Sequence, residues 1–324
     1  GVQDWISPQG SRELTARITQ MSLKSLLAFE QLQGSYIHLP VEMLHDAQPR
    51  YRMLRCRNDG IVPSGADGGE GVVFKITAFL PEGERCFALK FYKEPFEIDE
   101  DYLVSRAEVL RGISMIPGFV PIIGRSVLNK QRSLVYYLYE YVDPKQEATY
   151  EDHEKRFRVA VSYLRSLHEA GYYHKDPHED NIMVDVNDQV WIVDYDRGAG
   201  SLAVSDPSRA KHFVAKDWVE FYLAFLETSC DSGSEELEEY IVASMCDDFY
   251  QLFFRELGPA TLSESFGYFM SVVADSFSND YLIGQFEQRA REAIRRISER
   301  SDPVVGVIYP SCERVREPVS QVRI

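Results

Sequence analysis

The stretch "YYHKDPHEDNIMV", residues 172–184, decides how the chain is read. It sets His174, Asp176 and Asn181 at the spacing HxDxxxxN immediately ahead of an apolar run. A carboxylate so placed can orient a hydroxyl and accept its proton, and an amide oxygen can hold a hard cation. Such a loop needs a second acid nearby. "VWIVDYDRG" supplies one, presenting Asp194 at the end of the next apolar strand.

Upstream, "GVVFKITAFL", "RCFALKFYK", "PIIGRSVL" and "SLVYYLYEYV" are short β-rich runs, interrupted by one helical stretch near 100–113. They predict a small twisted antiparallel sheet with a single helix. In "SGADGGEGVVFK", residues 64–75, Gly65, Gly68, Gly69 and Gly71 fall between β-like runs, where glycine lets backbone N–H groups approach phosphates. A plain Gly-rich hairpin turn is the competing reading, because Ala66 stands where the first Gly of GxGxxG belongs. Lys90 in "FALKFY" projects from a half-buried strand and needs an anionic partner. Glu108 in "DYLVSRAEVLRGI" is the candidate; Glu97, Glu100 and Asp101 are rivals at the acidic start of that helix, where the dipole favours them anyway.

Downstream, helices dominate. Phe157, Ala160, Val161, Leu164 and His168 share one face, and Gly171 sits at a C-terminal cap position. Further helices are predicted around 216–228, 235–257, 262–277 and 284–300, and Pro and polar residues in "EYVDPKQEA" mark a hinge at 140–148. Residues 11–30 carry Leu14, Ile18, Met21 and Leu26 at near-helical spacing and read as an amphipathic packing helix.

The order glycine loop, strand Lys, helix Glu, HxDxxxxN and then DYD resembles the protein-kinase superfamily, over about residues 60–225. The resemblance implies an α+β, bilobal protein-kinase-like fold: a small antiparallel β-sheet N-lobe with one helix and a mainly helical C-lobe. It divides the chain into an extension at 1–55, an N-lobe at 56–142 and a C-lobe at 143–324. It also implies ATP and Mg2+. Gly65, Gly68, Gly69 and Gly71 would cover the phosphates, with Val73, Ala88, Glu140 and Val142 as further nucleotide contacts in or near the "YEYV" hinge. Lys90 would pair with Glu108 and meet the α- and β-phosphates. Asp176 would be the catalytic base, Asn181 and Asp194 the metal ligands, and Asp217 in "AKDWVEFYLAF" would brace the catalytic loop.

The chain departs from the usual pattern in several places. "DPHEDN", with Pro177 and His178 after the Asp, is similar to the loops of aminoglycoside phosphotransferases and UbiB-type kinases. Tyr195 and Asp196 replace Phe and Gly, and "RGAGSLAVSDPSRAKHFVAK" holds no APE. Yet the hinge-to-loop connection is short for a small-molecule kinase, and the UbiB KxGQ element is absent. The pattern is closest to atypical or effector-type kinases with a short activation segment, in which Ser201, Ser205 and Ser208 are open to modification. His178 reads first as a loop hydrogen-bonding residue, and "QRAREAIRRISER" as a solvated face. Tyr137, Tyr139 and Tyr141, alternating with Tyr136 on the opposite face, read as core and hinge packing.

A formal net charge of -16 opposes nucleic-acid binding, since phosphate repels excess carboxylate. No apolar run reaches the roughly 20 residues of a membrane span. The 5 cysteines form no CxxC, which favours a reducing, cytoplasmic compartment over a disulfide framework, delivery as an effector being compatible. The expected activity is transfer of the γ-phosphoryl group of Mg-ATP to a Ser or Thr hydroxyl of a protein substrate. A small-molecule kinase, a pseudokinase scaffold and an adenylyl transferase are the alternatives.

Overall fold

The computed structural model describes residues 5–13, 30–45, 50–62, 71–126, 133–146, 149–204, 206–232, 234–276 and 280–300. The chain divides into two compact units, 1–144 and 145–324, and the division falls inside the predicted 140–148 hinge. The architecture is mixed α+β. No helix among the described residues is long and apolar enough to cross a membrane.

The first unit contains β1 (Tyr36–Met43), β2 (Arg50–Ile61), β3 (Gly71–Leu80), β4 (Gly83–Glu97), α1 (Glu100–Ser114), β5 (Ile122–Ser126) and β6 (Ser133–Glu140). Apolar residues recur at every second position: Ile37, Leu39 and Val41; Leu54 and Cys56; Phe74, Ile76 and Ala78; Phe87, Leu89 and Phe91; Tyr136 and Leu138. A strand points alternate side chains to one face, so these residues fill one interior. The strands run in the order β1-β2-β3-β4-β6-β5, and β1 closes on β5. At the seam Glu42 stands opposite Arg125, whose buried guanidinium donates to its carboxylate at 3.1 and 3.2 Å.

Two expectations are corrected here. The expected small sheet is a closed six-stranded barrel, which is not the typical kinase N-lobe. And β1 and the first part of β2 come from residues that the sequence reading assigned to an extension ending at 55. Pro40 obscured β1 in the sequence, because proline cannot donate to a ladder. The structure accommodates it opposite Met53, where the Pro40 carbonyl accepts the Tyr136 hydroxyl. The amphipathic helix predicted at 11–30 lies mostly outside the described residues.

The second unit contains α2 (Tyr150–Glu169), β7 (Tyr172–Tyr173), β8 (Ile182–Val184), β9 (Val190–Ile192), β10 (Gly200–Ser201), α3 (Pro207–Ser232), α4 (Glu235–Phe249), α5 (Leu262–Ser276) and α6 (Asp280–Arg300). Phe157 of α2 packs against Phe221 and Phe225 of α3, and Gly171 leaves α2 at φ +91, as the sequence predicts for a cap. The α3 helix begins well before the expected residue 216. Asp206 accepts the Arg209 N–H at 2.9 Å and Pro207 opens the first turn, a start signal readable in "SDPSRA". The single helix expected over 235–257 ends at Phe249 and passes into a π turn at Tyr250–Phe254.

Candidate active site

The loop 172–184 is built from both ends. Tyr172 and Tyr173 pair with Ser201 and Gly200, and the Leu202 N–H donates to the Gly171 carbonyl at 2.7 Å. At the other end β8 pairs with β9, Ile182 opposite Ile192. The intervening chain is held by Asp217 of α3. This carboxylate, fully buried, accepts the backbone N–H groups of His174 at 2.9 Å and Lys175 at 2.8 Å and the His168 Nε2 at 2.8 Å. A buried carboxylate is costly without donors, and here three converge on it. His174, also fully buried, uses Nε2 toward the Val193 carbonyl at 2.8 Å, while its Nδ1 accepts the Asp176 N–H at 3.1 Å.

These bonds force Lys175 to φ +81, and Asp194 sits at φ +61. Non-glycine residues in this region are uncommon, and strain of this kind gathers where a chain must aim a side chain. One consequence is that the Asp176 carboxylate points outward, 61% exposed, with His178 Nε2 at 3.3 Å. That contact, first among several, raises the His178 pKa above its ordinary value; the charges of Asp180 and Glu220 add to it and desolvation opposes it.

Asn181 is buried on a single 3-10 turn, Glu179–Asn181. Its Nδ2 donates to the Asp176 carbonyl at 2.8 Å and lies 3.3 Å from His178 Nε2. Its own carbonyl accepts the Val193 N–H at 2.9 Å, which brings the residue preceding Asp194 beside it. With the amide nitrogen so engaged, Oδ1 is the end of Asn181 left to a ligand. No group of three His, Cys, Asp or Glu suited to a metal occurs among the described residues. An Asn–Asp pair that shares Mg2+ with phosphates is not such a group, because Mg2+ uses few protein ligands and keeps phosphate and water oxygens.

Two further acids at or beside this loop, Glu179 and Glu220, were missed in the sequence. Glu179 is held by His153, Arg156 and Thr228. Glu220 lies one helical turn beyond Asp217. Burial, with the charges of Asp176 and Asp217, pushes its carboxyl up to about 7, and one of its oxygens is buried without a hydrogen bond. Asp196, the second acid of DYD, for which the sequence left a metal ligand, a substrate-amine contact and a solvated carboxylate open, is 1% exposed and so is not solvated.

In the first unit, Val73, Ala88 and Lys90 share the outer face of the barrel wall, since Lys90 pairs with Val73 on one side and Tyr137 on the other. Gly71 is opposite Tyr92, and a Cβ there would come within 2.5 Å of the Phe91 carbonyl. The structure does not join Lys90 to Glu108. Lys90 Nζ lies 5.6 Å from the Tyr92 ring centre, and Glu108 is on the exposed side of α1, opposite Leu103, Ala107, Leu110 and Ile113, which pack inward. The Glu140 carboxylate pairs with Arg85, and Val142 is half-buried just past β6. Gly65, Gly68 and Gly69 lie outside the described residues. No protein-family model matches the chain, and no curated protein matches its sequence.

Proposed function

We propose that the chain is an ATP-dependent phosphotransferase that moves the γ-phosphoryl group of Mg-ATP to a hydroxyl, foremost a Ser or Thr hydroxyl of a protein. The observation that carries this reading is the loop geometry. Asp217 grips two successive N–H groups, and Asn181 is tied to the Asp176 carbonyl, so that the Asp176 carboxylate turns outward. In this reading Asp176 accepts the proton of the attacking hydroxyl as its oxygen bonds to the γ-phosphorus and the bond from that phosphorus to the β-phosphate oxygen breaks, ADP leaving. Asn181 Oδ1 and Asp194 would hold Mg2+, which their hard oxygen donors suit, and the metal would supply neutralisation of the charge that develops on the phosphates. Lys90 is assigned to the nucleotide phosphates.

A second reading, a small-molecule acceptor, is favoured by the segment after Asp194. That segment folds back as β10 on β7 and enters α3 at Pro207, leaving little chain for a peptide platform. Intact-mass spectrometry after incubation with Mg-ATP, alongside Asp176→Ala and Asp194→Ala, tests both. A phosphate adduct that both variants lose supports the protein-directed reading. ADP release only with added small hydroxyl compounds supports the second. Transfer retained by Asp176→Ala removes the assigned base, and an AMP adduct reverses the nucleotide.

A further inference from the structure

We propose that Glu179 is a positioning residue which, through Arg156, fixes Asn181 as a metal ligand; this rests on the phosphotransferase reading. The loop carries three acids with different fates. The side chains of Asp176 and Asp180 are 61% and 69% exposed, whereas that of Glu179 is 17% exposed. Withdrawing a carboxylate from water costs several kcal/mol unless donors replace its hydration, so the inward turn of Glu179 requires a set of partners.

Those partners come from two helices. From α2, His153 Nδ1 lies 3.0 Å from Glu179 Oε1, and Arg156 Nη2 donates to the same oxygen. From α3, the Thr228 hydroxyl donates to Oε2 at 2.5 Å. His153 is itself fixed at its other nitrogen, 3.3 Å from Ser229 Oγ. Arg156 then reaches past the turn, its Nη1 donating to the Ile182 carbonyl at 3.3 Å. One guanidinium thus grips the residues on both sides of Asn181, and a planar fork does this where an ammonium cannot.

Asn181 is therefore boxed. Its N–H donates to the His178 carbonyl at 3.0 Å, its carbonyl is bonded to Val193 and its amide nitrogen to Asp176. The Ile182 N–H also donates to the Glu179 carbonyl, so the backbone closes the turn and the Glu179 side chain is what ties it to Arg156 and His153 of α2 and Thr228 of α3. Partners behind a metal ligand commonly contribute about 10- to 100-fold in metal affinity, and a shift of that size is expected here.

The test measures Mn2+ binding by electron paramagnetic resonance with a non-hydrolysable ATP analogue present. Wild type is compared with Glu179→Gln and Arg156→Lys, with Asp194→Ala as control and thermal melting as the check on folding. The metal dependence of turnover, against the ATP KM, is read on the same samples. Wild type that binds Mn2+, with both variants folded, weakened at least about 10-fold for the metal and unchanged in ATP KM, supports the proposal. Folded variants with wild-type Mn2+ affinity and only a lower kcat overturn it and leave the phosphotransferase reading standing. Wild type that binds Mn2+ no better than Asp194→Ala overturns both. Should Glu179→Gln not fold, Arg156→Lys decides alone, since it keeps the charge and loses the fork.

Discussion

At the scale of single residues, Asp176, Asn181 and Asp194 are legible because spacing alone announces a loop flanked by strands. Glu179 and Glu220 are not, because each acquires its role from neighbours on other elements. Glu220 shows the difference. It is an ordinary helix acid in "DWVEF", yet burial beside the Asp176 and Asp217 charges pushes it up to about 7. A carboxyl whose pKa is raised in the fold stabilises fully below its unfolded value of 4.5, and that contribution is lost as pH rises through 7. Glu220→Gln removes the charged form. It should therefore raise the melting temperature at pH 8, by an amount corresponding to about 1–2 kcal/mol once solvent screening is allowed for, and the gain should vanish toward pH 5. A Tm difference that does not change between those pH values would show that Glu220 titrates normally.

At the scale of elements, α2 is anchored by a device that sequence does reveal. Thr149 accepts the Asp152 N–H at 3.3 Å, and Asp152 accepts the Thr149 N–H at 2.7 Å, closing a capping box that Lys145 reinforces at 3.0 Å. Thr149→Ala should cost about 1 kcal/mol by thermal or urea melting. The Thr149 backbone bond, with Lys145 behind it, holds the Asp152 carboxyl down at about 2. That contribution is present above 3.8 and lost as pH falls toward 2, so Asp152→Asn should flatten the acid limb of the stability profile; an unaltered limb would remove the assignment. Helix α2 was legible from its periodicity and from Gly171 at its end, and β9 from the apolar run before Asp194. Closure of the barrel was not. Alternation identifies strands and their inward faces, but the β1–β5 pairing joins residues far apart in sequence, and no local signal specifies it. That Glu108 stands on the exposed side of α1, away from Lys90, was hidden for a related reason: spacing places Glu108 on a helix but does not say which side of that helix faces the barrel.

At the scale of the whole molecule, two units with separate cores imply two unfolding events. The barrel seam allows the first to be moved alone. Gly124 stands opposite Met43 where β5 closes on β1, and a Cβ there would run into Val41 Cγ1 and come within 2.9 Å of the Glu42 carbonyl. Backbone cannot yield as a flexible side chain does, so Gly124→Ala should destabilise the barrel by about 1–3 kcal/mol. The 3 tryptophans separate the events, since Trp5 belongs to the first unit and Trp191 and Trp218 to the second. In a Trp5→Phe background fluorescence reports the second unit alone. There Gly124→Ala should leave the fluorescence transition in place while calorimetry shows the other transition moving down. If the fluorescence transition moves with it, the two units unfold as one cooperative body, and a change at the barrel seam then reaches the 172–184 loop through the fold as a whole.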